Sequence, residues 1–586
     1  MNTQRAPAIE NSSGNFHLID TLSKWGIRMF AGINGGGLVH VAKHLQPFSD
    51  LSQADDGIPR LFTLSEYAAG FVPLGYYLAS GRIAGCMTTT GAATKLGSSG
   101  LTDAKLHNIP AVYVIALNST LSIGLGPLQD VSEYGMNIVP QLQAELGDGC
   151  IVLDDIDRME EQLGRAQEVL NKSRPVAIAF HPDILSQSVE IDVPKVEKTR
   201  DFNRNDVEAF LAEFPQQANG RRVIMYVGSE ASFCEGIEDL STQLSELLEA
   251  PTVWSVNGAN SISRENRYGY GYISFGGNEK AMEVWQSVNE DDVVIALGFD
   301  AGEYSLNLRE IPAGTVWHFT DMPEAYGQKN GDFRHRVTGE YVRVRGDIGR
   351  ILEEIIPRLR ANGPDPRPKV ETHENLNTRT ISREVREGAV DFVAFYEALD
   401  RLWRPNSMGI DDVCVAYKDR QYVTQRPNPN IKFYTTHDGS AMGAGYGLGV
   451  GAKLGNPDLH TFVFSGDGCW RLFGGALAES AKLDLRLFII NNGTYGIVDK
   501  GLEVIIPEIE KSRYHSVLPS IDFVAAAKAH GWGGYYLKPD LSNLEEIMDA
   551  CYETRGQSIL VDVPMDTDQE IGLNPRLLNL TTGTYL

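Results

Sequence analysis

The sequence predicts an α/β protein with three doubly wound domains, each built on a parallel β-sheet. Short apolar runs recur along the 586-residue chain, and stretches with helical periodicity separate them. A hydrophobic fraction of 42% and 59 glycines fit this fold, because parallel strands are buried on both faces and their connections need many tight turns. Two polar stretches that contain proline, near residues 186–205 and 361–390, divide the apolar runs into three groups.

The predicted domains follow from these groups. The first group ends with a buried strand at residues 174–180, and the second ends with a helix at residues 347–356 that Pro357 is expected to stop. The predicted bounds are 1–185 for the first domain, 206–360 for the second, 385–565 for the third, and 566–586 for a C-terminal tail that could cover a site.

Charge and composition exclude several classes of function. The chain has 52 basic and 77 acidic residues, a net charge of −25, which argues against nucleic acid and anionic membranes as partners. The first fifteen residues lack the apolar core of a signal peptide, and no apolar run approaches the roughly 20 residues that span a bilayer. Six separated cysteines without a CxxC pair suggest neither zinc nor disulfides. We therefore expect a cytoplasmic protein.

The most informative stretch is residues 466–496. It begins with Gly466-Asp467-Gly468-Cys469 after an apolar strand at residues 461–464, and a second apolar strand at 485–490 leads to Asn491-Asn492-Gly493-Thr494-Tyr495-Gly496. Gly466 and Gly468 would let backbone N–H groups approach a phosphate at the start of a helix. Asp467, the side chain of Asn492 and a loop carbonyl would form, with two diphosphate oxygens, the oxygen-only site that Mg²⁺ prefers. Two unrelated turns are the alternative interpretation.

This stretch resembles the Gly-Asp-Gly…Asn-Asn signature of thiamine-diphosphate enzymes. The resemblance implies that Asp467, the Asn492 side chain and the Thr494 carbonyl bind Mg²⁺, and that the surrounding residues contact the cofactor. Asp467 and Asn492 are 25 residues apart, slightly fewer than is usual in the family. The Asn-Gly-Thr-Tyr-Gly run looks most like the benzoylformate decarboxylase branch. The cofactor contacts that it implies here are Gly466, Asp467, Gly468, Cys469, Asn492, Thr494, Tyr495 and Gly496.

The first predicted domain resembles the pyrimidine-binding half of the same family. Glu66 follows a short strand and starts a helix with small residues, and Thr88-Thr89-Thr90-Gly91 follows a later strand. A glutamate at a helix start is also stabilised by the helix dipole alone. The resemblance makes Glu66 the carboxyl group that hydrogen-bonds N1′ of the cofactor and takes part in the proton transfer that activates it.

Two further positions in this domain are assigned by the resemblance. Gly91 matches a cofactor-binding glycine, although Ala92 and Ala93 replace the usual proline and glycine. Gln129 lies where acetolactate synthases and their relatives place a glutamine that faces the substrate, whereas a loop glutamine is more often a surface residue. The histidine pair of pyruvate decarboxylases is absent near this position.

The third predicted domain carries another match. Gly439-Ser440-Ala441-Met442-Gly443 precedes a helix of small residues. The resemblance makes Met442 the apolar support that bends the cofactor. It also implies that the Ser440 carbonyl accepts a hydrogen bond from the amino group of the pyrimidine ring. Core packing alone would also suit a methionine at position 442. A strand is predicted at residues 413–416, and relatives continue such a strand with Asp-x-Gly. This chain has Tyr417-Lys418-Asp419 instead, which leaves the diphosphate contacts there open.

The central predicted domain resembles the Rossmann-like domain that holds FAD in some members. Those members usually have an Arg-Phe-Asp-Asp-Arg run after the third strand. Here Gly298-Phe299-Asp300-Ala301 lacks both arginines, which argues against FAD.

The resemblance implies thiamine diphosphate and Mg²⁺ as cofactors, with decarboxylation of a 2-oxo acid as the reaction. The proton-donating histidines of known decarboxylases have no clear counterpart. The nearest candidates are His40, Gln129 and His437, and each of them also fits a purely structural role. We therefore expect carboligation, in which the acyl carbanion is transferred to an acceptor carbonyl as in acetolactate synthases. The alternatives are simple decarboxylation, C–C hydrolysis of a cyclic diketone, and a non-catalytic protein that binds the cofactor. The family builds each site between two subunits, so a homodimer or homotetramer is expected.

Overall fold

The computed structural model describes residues 12–54, 56–323, 331–362 and 367–582. Its strands form three sheets in which every strand pair is parallel, so the predicted α/β class with three parallel-sheet domains is confirmed. The chain divides into two compact units. One holds Met1–Lys198 and Tyr446–Asp458, and the other holds Thr199–Gly445 and Leu459–Leu586.

The first sheet belongs to the unit that contains Met1–Lys198. Its strands are β1 (Met29–Gly32), β2 (Gln46–Pro47), β3 (Arg60–Thr63), β4 (Gly85–Thr88), β5 (Val112–Ala116), β6 (Cys150–Leu153) and β7 (Val176–Phe180). The helices are α1 (Gly14–Lys24), α2 (Val39–Ala42), α3 (Glu66–Ser80), α4 (Ala92–Leu106), α5 (Ile138–Leu146), α6 (Met159–Asn171) and α7 (Pro182–Leu185). The strand order is β2-β3-β1-β4-β5-β7-β6.

The second sheet lies in the other unit. Its strands are β8 (Val223–Val227), β9 (Thr252–Trp254), β10 (Gly269–Tyr272), β11 (Val293–Leu297), β12 (Thr315–Thr320) and β13 (Glu340–Arg345), in the order β10-β9-β8-β11-β12-β13. The helices are α8 (Arg204–Ala218), α9 (Ile237–Leu248), α10 (Glu279–Gln286), α11 (Glu303–Leu306) and α12 (Ile348–Asn362). Met225 packs into the core on one face of β8, and Ile224 and Tyr226 pack into the core on the other, so this sheet is buried on both faces.

The third sheet belongs to the same unit as the second. Its strands are β14 (Ser407–Asp411), β15 (Ile431–Tyr434), β16 (His460–Gly466), β17 (Arg486–Asn491), β18 (Gly533–Tyr536) and β19 (Ile559–Pro564), in the order β15-β14-β16-β17-β19-β18. The helices are α13 (Phe392–Leu402), α14 (Ala416–Thr424), α15 (Ala444–Gly455), α16 (Asp467–Phe473), α17 (Gly496–Ile505), α18 (Phe523–Ala529), α19 (Leu544–Glu553) and α20 (Arg576–Thr582).

Two local predictions were wrong. The strand expected at residues 413–416 is a turn and the start of α14, because β14 precedes it at Ser407–Asp411. Pro357 does not stop α12, which continues to Asn362. The carbonyl group that a proline at this position leaves without its N–H partner belongs to Glu353, an exposed residue, so water can replace the missing donor.

Within the described ranges, no helix combines the length and the apolar character that crossing a membrane requires. The predicted domain bounds remain a prediction.

Candidate active site

The third sheet has a crevice at the carboxyl ends of β14 and β16. The chain runs from β14 outward to β15 on one side and returns to β16 on the other, so the direction of winding reverses between β14 and β16. Ligands of open α/β sheets bind outside the carboxyl ends of the strands at this kind of reversal. Asp467 follows β16 directly, and the loop at residues 492–495 follows the neighbouring strand β17.

Asp467 is a buried carboxylate at this edge. It is 3% exposed and is the first residue of α16, where the helix dipole favours negative charge. Its Oδ2 accepts a hydrogen bond from the backbone N–H of Gly493 at 2.9 Å. Burial raises the pKa of Asp467 to about 6, and no lysine, arginine or histidine in the described part of the chain forms an ion pair with it. A buried carboxylate without a cation partner fits a metal site, since buried charges are normally paired or bind metals.

The loop after β17 folds back on itself around Asn492 and Thr494. The Oδ1 atom of Asn492 accepts a hydrogen bond from the backbone N–H of Thr494 at 2.9 Å. The Thr494 hydroxyl lies 3.1 Å from Asp499 Oδ2 and 3.0 Å from the carbonyl oxygen of Ser516, and it can donate to either. Ser516 donates its hydroxyl to the other oxygen of Asp499. These contacts fix the loop against the first turn of α17.

The remaining residues of the glycine motif pack tightly around this loop. A Cβ atom on Gly468 would lie 2.6 Å from the ring of Tyr495, so only glycine lets the ring approach α16 so closely. Cys469 is buried and donates its thiol to the carbonyl oxygen of Val413 at 3.2 Å, and burial raises its pKa well above the usual value. The thiol is therefore a packed, protonated group and not a nucleophile.

The turn that carries Ser440 and Met442 lies beside α16. Gly443 has a φ of +83°, and a Cβ atom there would lie 3.3 Å from the carbonyl oxygen of Cys469. Ser440 also has a left-handed backbone, with a φ of 48°, and its hydroxyl donates to the carbonyl oxygen of His437 at 2.6 Å. Met442 is half-buried, whereas Gly439 and Ser440 are exposed. The structure thus brings this turn and the Gly466–Cys469 run together.

Asp412 holds the turn in place, and the sequence analysis did not identify it. Its Oδ1 accepts from the backbone N–H groups of Gly443 at 3.0 Å and Val413 at 2.8 Å, and its Oδ2 accepts from the Ser465 hydroxyl at 2.6 Å. Asp412 follows β14, the strand that was predicted too late in the chain. The signal that could have found it is the Asp411-Asp412 pair directly after the apolar Met408-Gly409-Ile410 run.

In the first unit, Gly91 and Gln129 lie side by side. Gly91 precedes α4 with a φ of +75°, and a Cβ atom there would lie 2.7 Å from Cβ of Gln129. Gln129 itself has a φ of 54°. Residues other than glycine rarely adopt this left-handed backbone conformation, and it recurs at ligand sites. Gly91, which the sequence analysis assigned to the cofactor, and Gln129, which it assigned to the substrate, are thus in contact at the carboxyl end of the first sheet.

Glu66 is the first residue of α3, directly after β3. It is half-buried, and its carboxyl group makes no hydrogen bond or ion pair within the part of the chain that the structure describes. Close backbone contacts fix the helix behind it. A Cβ atom on Gly100 of α4 would lie 2.0 Å from the carbonyl oxygen of Gly70, and one on Gly447 would lie 2.3 Å from that of Ala68. The carboxyl group of Glu66 is therefore without a partner among the described residues and lies on a tightly packed helix.

The donor set suits Mg²⁺ and a diphosphate. Asp467 and Asn492 supply oxygen atoms at one sheet edge. The carbonyl group of Thr494 belongs to the short loop between Asn492 and α17. The N-terminus of α16 offers backbone N–H groups at the same edge, as anion sites in α/β proteins do.

Two family models match the chain. The N-terminal TPP binding domain of thiamine pyrophosphate enzymes matches residues 13–136, and the C-terminal TPP binding domain of these enzymes matches residues 417–563. Thiamine pyrophosphate is another name for thiamine diphosphate. The first match includes Glu66, Gly91 and Gln129, and the second includes Asp467 and Asn492.

Similar curated proteins cover almost the whole chain at low identity. The acetolactate synthase isozyme 1 large subunit of Escherichia coli is 22% identical over 585 residues, which cover 95% of this chain and 95% of that protein. An acetolactate synthase of Mycobacterium avium is 22% identical and covers 96% of this chain and 89% of its own length. A protein of Pseudomonas aeruginosa that is assigned as a 2-ketoarginine decarboxylase is 25% identical, with coverages of 93% and 92%.

Proposed function

Because the chain belongs to the thiamine-diphosphate enzymes, with both of their cofactor-binding domains present, we propose that it decarboxylates a 2-oxo acid and transfers the acyl unit to an acceptor carbonyl. The similarity to acetolactate synthase large subunits over 95% of the chain supports this reaction. The structural observation that carries the proposal is the buried carboxylate of Asp467 beside the Asn492 loop, which forms no ion pair among the described residues.

The assigned residues divide into three tasks. Asp467, the Asn492 side chain and the Thr494 carbonyl hold Mg²⁺, and the N-terminus of α16 binds the diphosphate. Met442 and the Ser440 carbonyl support the ring system of the cofactor, together with Gly91 and Tyr495. Gln129 faces the substrate. When bound, thiamine diphosphate supplies a nucleophilic carbon and an electron sink for decarboxylation.

Glu66 performs the proton chemistry that the protein itself supplies. Its carboxyl group hydrogen-bonds N1′ of the aminopyrimidine and holds a proton there. Its lack of any other partner within the described residues supports this role, because the carboxyl group is free to meet a ligand.

Simple decarboxylation is the second candidate, and one comparison favours it. The relative assigned as a 2-ketoarginine decarboxylase has the highest identity of the three relatives described above, at 25%. The two reactions differ only in whether a proton or a second carbonyl compound receives the acyl unit.

Assembly into a homodimer or homotetramer is part of the proposal, as is a location in the cytoplasm. The loop at residues 118–137, which carries Gln129, exposes several large apolar side chains. They are Leu121, Ile123, Leu125, Leu128 and Tyr134. An apolar group of this kind, next to a candidate site residue, supports contact with a second copy of the chain.

The experiment that tests the function has two steps. Metal-stripped apoprotein is titrated calorimetrically with thiamine diphosphate, with and without Mg²⁺, and the loaded protein is then given a panel of 2-oxo acids with mass-spectrometric detection of products. We expect saturable binding that depends on Mg²⁺, release of CO₂ and a hydroxyketone product. An aldehyde product would select simple decarboxylation, and the absence of binding would refute the proposal.

A further inference from the structure

Asn492 is followed directly by a glycine, and this pair lies in the short loop between β17 and α17. The backbone nitrogen of a glycine can attack the side-chain carbonyl carbon of the asparagine before it, since the glycine has no Cβ atom to hinder the approach. Gly493 is exposed, and a Cβ atom placed on it would meet nothing within 4 Å. The contacts around the pair decide whether this reaction of the chain with itself is favoured.

The attacking nitrogen is bonded to a carboxylate. The backbone N–H of Gly493 donates to Oδ2 of Asp467 at 2.9 Å. A carboxylate in this position can accept the proton while the nitrogen forms a new bond, which is general base catalysis. Asp467 is 3% exposed, so its position relative to the nitrogen is fixed by the surrounding protein.

The side-chain carbonyl group of Asn492 is polarised by a second contact. Its Oδ1 accepts from the backbone N–H of Thr494 at 2.9 Å, which closes an Asx turn. This turn folds the side chain back over the peptide bond that leads to Gly493. The N–H donor also stabilises the negative charge that develops on Oδ1 when the attacked carbon becomes tetrahedral. A base and an oxyanion donor therefore act on the two reacting groups.

The amide nitrogen of the Asn492 side chain is in a position to leave. Among the residues that the structure describes, no hydrogen bond holds Nδ2, and a Cβ atom on Gly496 would lie 2.7 Å from it. Asn492 is half-buried and Gly493 is exposed, so solvent reaches the pair. Ammonia can therefore leave and water can enter.

We propose that Asn492 is a deamidation site of this chain, with Asp467 as the base. The Gly493 nitrogen bonds to Cγ of Asn492 while its proton passes to Asp467. The Cγ–Nδ2 bond then breaks, Asp467 transfers the proton to Nδ2, and ammonia leaves a succinimide ring. Water opens this ring to aspartate or isoaspartate, so the reaction consumes one water molecule and needs no oxidant or reductant.

Another Asn-Gly pair of the same unit lacks these contacts. Asn257 is 6% exposed, and its amide group donates to the carbonyl oxygen of Thr435 at 3.0 Å and accepts from the N–H of the same residue at 3.0 Å. The N–H of Gly258 donates to the hydroxyl oxygen of Ser255 at 3.2 Å and not to a carboxylate. The leaving nitrogen is thus held and no base is present, so Asn257 should remain an asparagine.

The reaction changes a side chain that is proposed to bind Mg²⁺. Aspartate replaces the neutral amide oxygen of Asn492 with a charged carboxylate, and isoaspartate lengthens the backbone of the loop by one methylene group. The inference concerns only the chemistry of the chain and is independent of the proposed function.

The test follows the full-length, metal-stripped protein during incubation at neutral pH. Trypsin releases residues 487–500, which contain Asn492, and residues 205–221, which contain the exposed pair Asn219-Gly220 as an internal reference. Mass spectrometry measures the replacement of the amide by a carboxyl group in each peptide, and a sample digested at zero time corrects for reaction during digestion. We expect Asn492 to react at least about tenfold faster than Asn219 in the folded protein.

Unfolding in urea should remove the difference, because it separates the pair from both Asp467 and the Asx turn. We therefore expect Asn492 and Asn219 to react at similar rates in the unfolded chain. A rate at Asn492 in the folded protein that does not exceed the rate at Asn219 would overturn the proposal. This comparison uses only the wild type and stays decisive if a variant does not fold.

Asp467→Ala tests the base directly. Gly493 is exposed, so water can accept its N–H in place of the lost carboxylate. We expect deamidation at Asn492 to slow at least about tenfold, with no change at Asn219. Asp540→Ala, at an exposed loop carboxylate of the same unit, is the control and should change neither rate. Equal rates at Asn492 in the wild type and Asp467→Ala would show that Asp467 is not the base, and the proposed reaction would be wrong.

Discussion

The backbone N–H of Gly493 donates to Oδ2 of Asp467 across 2.9 Å, and so joins the loops that follow β16 and β17. The two strands are neighbours, and their carboxyl ends meet at one edge of the third sheet. This hydrogen bond holds the Asp467 carboxylate at the edge where the Asn492 loop begins.

Replacing Asp467 with alanine should abolish cofactor binding that depends on Mg²⁺. We expect the affinity for thiamine diphosphate in the presence of Mg²⁺ to fall by more than about 100-fold, because loss of a direct ligand should exceed the loss caused by outer-shell changes. Calorimetric titration measures this affinity. Asp540→Ala is the control, since Asp540 is an exposed loop carboxylate in the same domain. Equal affinities for the two variants would contradict the assignment.

The Thr494 hydroxyl should act by positioning the metal loop through Asp499. Thr494→Val keeps the backbone carbonyl that is proposed to bind Mg²⁺ but removes the donor that reaches Asp499 and Ser516. We expect the Mg²⁺ concentration required for half-maximal cofactor binding to rise about tenfold. Thr494→Ser restores the hydroxyl group and should restore the wild-type value. If Thr494→Ser behaved like Thr494→Val, packing of the methyl group and not the hydrogen bond would explain the effect.

Glu66→Gln should separate proton transfer from binding. The amide keeps the size of the side chain but cannot hold the proton at N1′, so we expect kcat to fall at least about 100-fold. Cofactor affinity should change little. Glu160→Gln is the control, because Glu160 is also a glutamate in the first turn of a helix in the same unit, but it is exposed and lies outside the candidate site. Turnover near the wild-type rate would remove Glu66 from the mechanism.

The exposed apolar loop should govern assembly. Leu125 and Leu128 are 79% and 89% exposed, and aspartate at both positions would place charge in a subunit contact. We expect the dissociation constant of the oligomer to rise about tenfold or more, and activity to fall with it. Light scattering coupled to size-exclusion chromatography measures the oligomeric state over a range of protein concentrations. Val196→Asp is the control, because Val196 is 59% exposed but lies outside this loop. A wild-type monomer would contradict the proposed assembly.

The sequence alone predicted the parts of the site in which a strong apolar strand ends in a distinctive turn. The strands before Asp467 and Asn492 are continuous apolar runs, and the structure has them as β16 and β17. Gly91 and Gln129 were assigned separately by resemblance, and the structure places them side by side. Because they are far apart in the chain, the sequence could not predict this contact. Their roles remain proposals.

The strand β14 escaped prediction for a physical reason. Its residues Ser407–Asp411 include a glycine and two polar ends, so their apolar character is weaker than that of residues 413–416. Gly409 is required there, because a Cβ atom would lie 2.3 Å from the ring of Phe433 on the neighbouring strand. Tertiary packing thus overrides local propensity. The same error hid Asp412, the residue that directly follows β14.

Asp412 should therefore contribute to the stability of the fold around the site and not directly to the reaction. Asp412→Ala would leave the backbone N–H groups of Val413 and Gly443 without their acceptor in a buried place. Since each unsatisfied buried group costs about 1–3 kcal/mol, we expect the free energy of unfolding to fall by about 3 kcal/mol. Urea denaturation of the apoprotein measures this difference.

Asp412→Asn is the matched variant for this prediction. Its amide oxygen can still accept from both N–H groups, and its NH₂ group can donate to the Ser465 hydroxyl, which now donates to Asp412 Oδ2. Burial raises the pKa of Asp412, so removing the charge should itself cost little. We therefore expect Asp412→Asn to lose less than about 1 kcal/mol. If both variants were destabilised equally, the negative charge and not the set of accepted hydrogen bonds would be what the turn at Gly443 requires.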